Sequence, residues 1–264
     1  MSDDVRERFR ALHADGLFLM PNPWDVGSAR LLEALGFLAL ATTSSGHAWS
    51  MGRLDQHVAR DELLAHAGAL ASAVDVPLNV DAERCFGDDP DGVADTVRRI
   101  ADTGAAGCSI EDYDPVTGRI DPIDVAVERV AAAAEAARES GLVLTARAEN
   151  HFYGVDDIDD TITRLCAYRD AGAEVVYAPW LTDPDAIARV VREVGVAVNV
   201  LAVPAGPPVP ALVSLGVRRV STGGTLARAA YGALVRGARE LLDSGTTGYA
   251  TGSVDADVVQ AAFR

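Results

Sequence analysis

Eight short apolar, β-rich runs alternate with helical stretches along this chain, and that alternation restricts the fold more than any other feature. The runs are Leu17–Pro21, Phe37–Thr43, Pro77–Glu83, Gly107–Asp112, Leu142–Glu149, Glu174–Pro179, Ala197–Val203 and Arg218–Gly223. Helical patterns such as Pro90–Asp102, Pro122–Glu139, Ile158–Asp170 and Pro184–Val194 lie between them. Gly36, Gly104, Gly141, Gly172, Gly195 and Gly216 each stand just before a run, where a left-handed residue ends a helix. Strands that alternate with helices pair in parallel, and eight such units close into a barrel. The length of 264 residues matches the ~250 of one such barrel. No linker interrupts the series, so residues 1–264 are expected to form a single (β/α)8 TIM-type barrel domain. An N-terminal helix within residues 1–16 precedes it, and a C-terminal helical region, residues 225–264, follows the eighth strand.

Composition removes several function classes. Hydrophobic residues make up 49% and charged residues 23%, a globular balance. A net charge of −16 repels phosphate backbones, so no nucleic-acid partner is expected. Apart from histidine, all 23 basic side chains are arginine. Without a lysine amine that can lose its proton, Schiff-base aldolase and pyridoxal chemistry are excluded. Cys85, Cys108 and Cys166 are widely spaced and suit small buried hydrophobes rather than a disulfide or zinc framework. No apolar run approaches the ~18 residues of a membrane span, and residues 1–16 are charged throughout. A cytoplasmic protein is expected, with a small molecule as its partner.

In barrels of this kind the site forms at the C-terminal ends of the strands. The third run, LNVDAERCFG, has a side-chain period of two, which sets Asn79, Asp81 and Glu83 on one face; CSIED brings Glu111 to matching height beside them. Converging carboxylates repel one another, and a hard divalent cation with oxygen ligands relieves that repulsion. Mg2+, with Mn2+ as a substitute, suits Asp81, Glu83 and Glu111 better than zinc does, since no histidine or thiolate cluster accompanies them. The fifth run, LTARAEN, points Thr145, Arg147 and Glu149 to one face, and arginine grips a carboxylate or phosphate with two parallel hydrogen bonds. Thr42, Thr43, Ser44 and Ser45, ahead of Gly46, offer N–H groups and hydroxyls to a carboxylate. Metal plus arginine suits a small 2-oxo acid. His47 and His151 follow strand ends and are candidate proton carriers.

Taken in order, NPWDVGSARLLEALGFLALATTSSG, NVDAERCFGDDP, GCSIEDYDPVTGR, ARAEN, VNVLAVP and VSTGGTLARAA resemble the isocitrate lyase/phosphoenolpyruvate mutase superfamily, over about residues 18 to 242. The resemblance implies an α/β barrel with Mg2+ held partly through water, at positions matching Asp81, Glu83 and Glu111. It implies a carboxylate-clasping segment at Thr42–Ser45, catalytic roles at Asp55, Glu111 and Arg147, and substrate contacts at Asn199 and Arg228. It further implies an eighth helix exchanged between subunits, in homodimers that often pair as homotetramers. Members make or break C–C or P–C bonds beside an oxo-acid carbon through an enolate. The C–C lyases carry a cysteine in a loop after strand four, where this chain reads YDPVTGRID; the P–C mutases carry a longer gating loop there. The sixth run ends YAPW, without the glutamate or histidine that many members place there.

These readings converge on a Mg2+-dependent lyase or decarboxylase of a 2-oxo acid or 2-oxo dicarboxylate. The alternatives are phosphoenolpyruvate/phosphonopyruvate P–C chemistry of the carboxyphosphonoenolpyruvate phosphonomutase kind, and a barrel that binds an oxo acid without turning it over.

Overall fold

A computed structural model describes residues 2–264. Eight parallel strands make one sheet: β1 (Phe18–Met20), β2 (Leu40–Ala41), β3 (Leu78–Asp81), β4 (Gly107–Glu111), β7 (Val143–Arg147), β8 (Val175–Tyr177), β9 (Ala197–Leu201) and β10 (Arg219–Ser221). Their order is β1-β10-β9-β8-β7-β4-β3-β2, which returns β2 to the side of β1. The seam closes through Ala41 N–H, which donates to Pro21 O at 3.1 Å. Asn22 reinforces it, donating to Thr42 O at 2.8 Å and accepting from the N–H groups of Thr222 and Gly223 at 2.9 Å. The expected (β/α)8 barrel is therefore the observed one. A two-stranded hairpin, β5 (Tyr113–Asp114) with β6 (Arg119–Ile120), is inserted after β4.

Helices cover the barrel: α2 (Val26–Ala34), α3 (Ser44–Ser50), α4 (Arg60–Ala71), α5 (Pro90–Asp102), α6 (Ile123–Ser140), α7 (Ile158–Asp170), α8 (Pro184–Val194) and α9 (Val209–Ser214). Their starts follow from local chemistry. Asp89 and Asp183 accept from backbone N–H groups ahead of Pro90 and Pro184, where a missing N–H costs nothing. All six glycines read as helix stops have positive φ, between 70° at Gly195 and 113° at Gly172. Between the helices and the strands runs an apolar core of small and β-branched side chains such as Val80, Ile110, Ala133, Ala146 and Val176.

The N-terminal helix α1 (Ser2–Leu12) closes the barrel floor. Phe9 is fully buried against Phe18 and His13, and a Cβ at Gly107 would lie 2.7 Å from the Phe9 ring, so that position needs glycine. Above the floor Arg219 is buried without a carboxylate partner; it donates to Asn199 Oδ1 and Thr145 Oγ1, both at 2.9 Å. Desolvation lowers its pKa to about 9.

The eighth barrel helix, α10 (Thr225–Ser244), behaves differently from the rest. Only Ala227 and Gly237 are buried on it, while Leu234 and Leu242 are 65% and 85% exposed. Its partner within the chain is the turn Gly248–Gly252, with Tyr249 set against Gly237. The last helix, α11 (Ala256–Ala262), turns back onto α2 of the same chain, which the sequence does not lead one to expect. Among the described residues no helix is long and apolar enough to cross a membrane.

Candidate active site

Glu111 ends β4 and Arg147 ends β7, paired in register, while Asp81 ends β3 on the other side of β4. Arg147 gathers three carboxylates at this mouth. Its Nη1 donates to Asp81 Oδ1 at 2.8 Å, its Nε to Glu149 Oε1 at 2.8 Å, and its Nη2 pairs with Glu111 Oε2 at 3.0 Å. The guanidinium also lies over the Tyr177 ring, 5.4 Å from its centroid. Two of its five N–H groups are thus hydrogen-bonded, and Nη2 is ion-paired with Glu111.

Asp81 is held on both oxygens. Ser44 N–H donates to Oδ2 at 3.1 Å, while Asp81 N–H donates to Thr42 Oγ1 at 2.8 Å. The segment expected as a Thr/Ser nest is in fact the start of α3, with Thr43 as its cap and Thr43 and Ser45 hydroxyls 3.2 Å apart. Asp55 Oδ1 accepts from Gln56 N–H at 3.2 Å, and its carboxyl is raised by burial and by Asp81.

Glu83 reaches the cluster by a different route from the one its strand period suggests. β3 ends at Asp81, and Glu83 follows at φ 50°, a left-handed residue that turns its side chain inward. Glu83 is 5% exposed, and its Oε1 is buried without a hydrogen-bond partner. Burial, then Asp81 and Asp55, push its pKa to about 8. Burial raises Glu111 and also Glu149, the latter to about 7, against the opposing pull of Arg147. Asp55 and Glu83 thus add two carboxyl groups to the three that Arg147 pairs with, in a desolvated pocket.

That excess of negative charge, and the orphaned Glu83 oxygen, fit a hard divalent cation bound through oxygen. Among the described residues no three histidine, cysteine, aspartate or glutamate side chains are gathered to ligate an ion unaided. Such a cation would keep water in part of its shell, as Mg2+ prefers.

The remaining sequence candidates are distributed as follows. Asn199 is buried lower in the barrel, donating to Ser221 Oγ at 2.9 Å and accepting from Arg219, with no contact to the carboxylates. Arg228, on α10, stacks over Trp49 at 5.4 Å, outside the cluster. His151 pairs with Asp156, and His47 stacks on His66. Cys85 and Cys108 are buried, with thiols raised by desolvation, and neither serves as an acid at the mouth.

Three participants carry no assigned role in the sequence reading. Gln56, left-handed at φ 65°, donates from Nε2 to Glu111 Oε1 at 2.8 Å. Asp112 accepts from Tyr168 Oη at 2.6 Å and from Glu149 N–H at 2.9 Å, fixing the Glu149 backbone. Tyr153, after β7, has a hydroxyl held protonated by burial and by the nearby Glu111 and Glu149. The alternation in LTARAEN signals Glu149; nothing in the sequence signals Gln56, whose position depends on a loop conformation.

Residues 9–242 match the model of a family described as phosphoenolpyruvate phosphomutase. An uncharacterized Mycobacterium tuberculosis protein is 38% identical over 238 residues, covering 89% of each chain. A crystal structure of a candidate lyase/mutase from Burkholderia cenocepacia J2315 is 48% identical and superposes with a TM-score of 0.93, covering 98% of this chain and 95% of its own. A probable 2-methylisocitrate lyase of Corynebacterium glutamicum is 32% identical over 182 residues, 66% of this chain and 58% of that protein, so the match spans little more than half of that relative.

Proposed function

The chain belongs to the phosphoenolpyruvate phosphomutase family, within the isocitrate lyase/PEP mutase superfamily, and from that premise we propose that it is a lyase or decarboxylase of a small 2-oxo acid or 2-oxo dicarboxylate, working through an enolate. The observation that carries this reading is the Arg147 cluster, three carboxylates ion-paired to one guanidinium with the unpartnered Glu83 buried at the same mouth. Asp81, Glu83 and Glu111 would hold Mg2+, or Mn2+ in its place, with Asp55 beside them. A cation bound there supplies Lewis-acid polarisation of the 2-oxo group.

The chain's own residues do the rest. The N–H groups of Arg147 left without a hydrogen bond, and the hydroxyls of Thr42, Thr43, Ser44 and Ser45, orient the substrate carboxylate. Gln56 keeps Glu111 in place and Asp112 keeps Glu149 in place. The bond from C3 to the departing fragment breaks heterolytically, the fragment leaving as CO2 or as a carbonyl compound whose hydroxyl has given up its proton; the electron pair enters the 2-oxo group as an enolate, and a proton then adds to C3. Asp55, with its raised pKa, is the group we assign to carry a proton at the mouth.

The family description itself favours a second reading, P–C bond mutation or hydrolysis. A substrate panel with Mg2+ separates them, following release of 2-oxo acid, CO2 and phosphate. C–C cleavage or CO2 supports the lyase; phosphate or a rearranged phosphonate supports the mutase. Binding without product would indicate an oxo-acid-binding barrel.

A further inference from the structure

One wall of the barrel mouth is aromatic, and nothing in the mechanism above uses it. Tyr113, in the β5–β6 hairpin, stacks face to face on Tyr153, in the turn after β7, with centroids 3.7 Å apart and planes at 6°. Phe152 lies edge-on to Tyr153 at 5.0 Å and 6.4 Å from Trp180, in the loop after β8. The run of four rings thus joins loops that follow β4, β7 and β8, the strands whose ends carry Glu111, Arg147 and Tyr177. The wall is continuous with the charged site, because Tyr153 N–H donates to Glu149 O at 3.1 Å.

Two features mark the wall as unfilled rather than as packing. Phe152, Tyr153 and Trp180 are 47%, 38% and 45% exposed, although burying aromatic surface is among the larger gains available to a fold. Trp180 also holds a left-handed backbone, φ 64°, which is strained for a bulky residue. A half-exposed ring on a strained backbone returns less to the free chain than a buried one would, and it gains more when the surface is covered.

Resting on the oxo-acid reading above, we propose that this wall is a specificity surface for an apolar substituent on the substrate. The substrate is then a 2-oxo acid whose C3 carries, besides the fragment that departs, an alkyl or aryl group several carbons long, and not a compact dicarboxylate. The carboxylate and 2-oxo group sit at the Arg147 cluster; the apolar end lies along Tyr153, Phe152 and Trp180. A dicarboxylate would place its second anion beside rings and beside an already acidic cluster, where it is repelled.

The test measures the affinities of pyruvate, 2-oxohexanoate and phenylpyruvate for the Mg2+-loaded protein by calorimetry. Burial of a few methylene groups or one ring gives about tenfold tighter binding or more for the two larger acids than for pyruvate. Trp180→Gly removes the ring together with the left-handed strain, so the fold survives; Phe152→Ala is the companion variant. Each should erase most of that tenfold gain while leaving the pyruvate affinity unchanged. Equal affinities for all three acids would overturn the proposal and leave the oxo-acid reading intact. The same holds if Trp180→Gly weakens all three acids alike, or if it instead dissociates an oligomer, which would make the wall a subunit contact. Binding of none of them would overturn both.

Discussion

Arg147 Nη1 lies 2.8 Å from Asp81 Oδ1, an ion pair that reaches from β7 to β3 across β4. With Glu111 and Glu149 on its other nitrogens, the arginine is first a counter-charge to the cluster and only second a clamp for substrate. Lysine keeps the charge but loses the planar fork that serves three partners at once. We expect Arg147→Lys to lose about 2 kcal/mol or more of transition-state binding, roughly 30-fold in kcat/KM. Unchanged kcat/KM on the substrate found by the panel would show that the fork is dispensable.

Asp81 is the carboxylate held most firmly, by Arg147, Ser44 N–H and Ser109. Asp81→Asn is close to isosteric and removes one charge. Mg2+ binding seen by calorimetry in the parent should be lost in this variant while far-UV circular dichroism stays the same. Parental Mg2+ affinity in Asp81→Asn would remove Asp81 from the ion site.

The barrel, its strand count and the acidic mouth were legible in the sequence because β/α alternation and period-two patterning act locally. The Glu83 placement was reached for the wrong physical reason, since the strand ends at Asp81 and a left-handed turn supplies the direction. The pairing of Asn199 with Arg219 was not legible. It depends on which layer of the barrel interior a residue occupies, and strand ends inferred from composition blur that by a residue or two. The fourfold aromatic wall was equally hidden, since it assembles three loops distant in sequence.

Acid should destabilise the fold through buried histidines. His66 stacks on His47 at 3.7 Å, with Asp25 near His66 and with Glu62 and Arg53 near His47, and burial followed by His47 lowers the His66 pKa to about 4. His13, buried beside Arg219 under the barrel, is lowered to about 3. Both are neutral when folded, and the unfolded chain binds their protons near pH 6.5. Their contribution is therefore complete above about 6.5 and is lost as pH falls toward 4. We expect His66→Phe, which keeps the stack, to recover on the order of 1–2 kcal/mol of the loss between pH 7.5 and 5. Identical pH profiles of thermal stability for parent and variant would clear this pair of the effect.

The exposed apolar residues of α10, Leu234, Val235, Leu241 and Leu242, need a cover that the chain itself does not supply. We expect a homo-oligomer, dimer or tetramer, in which α10 packs on a neighbouring barrel. Light scattering should give a mass at least twice 27.6 kDa at micromolar concentration. Leu234→Glu together with Leu241→Glu should shift it toward monomer. A monomer in the parent protein would refute helix exchange.

The central claim is that this mouth generates an enolate from a 2-oxo acid, and proton exchange at the carbon beside the oxo group reads that step without knowledge of the natural substrate. The Mg2+-loaded protein is incubated in D2O with pyruvate, 2-oxohexanoate or phenylpyruvate, and the protons on C3 are followed by NMR. The account predicts loss of the C3 proton signal faster than with Mg2+ alone for at least one of them, abolished by chelation and by Asp81→Asn. Tight binding of these acids with C3 protons exchanging no faster than in buffer would contradict it.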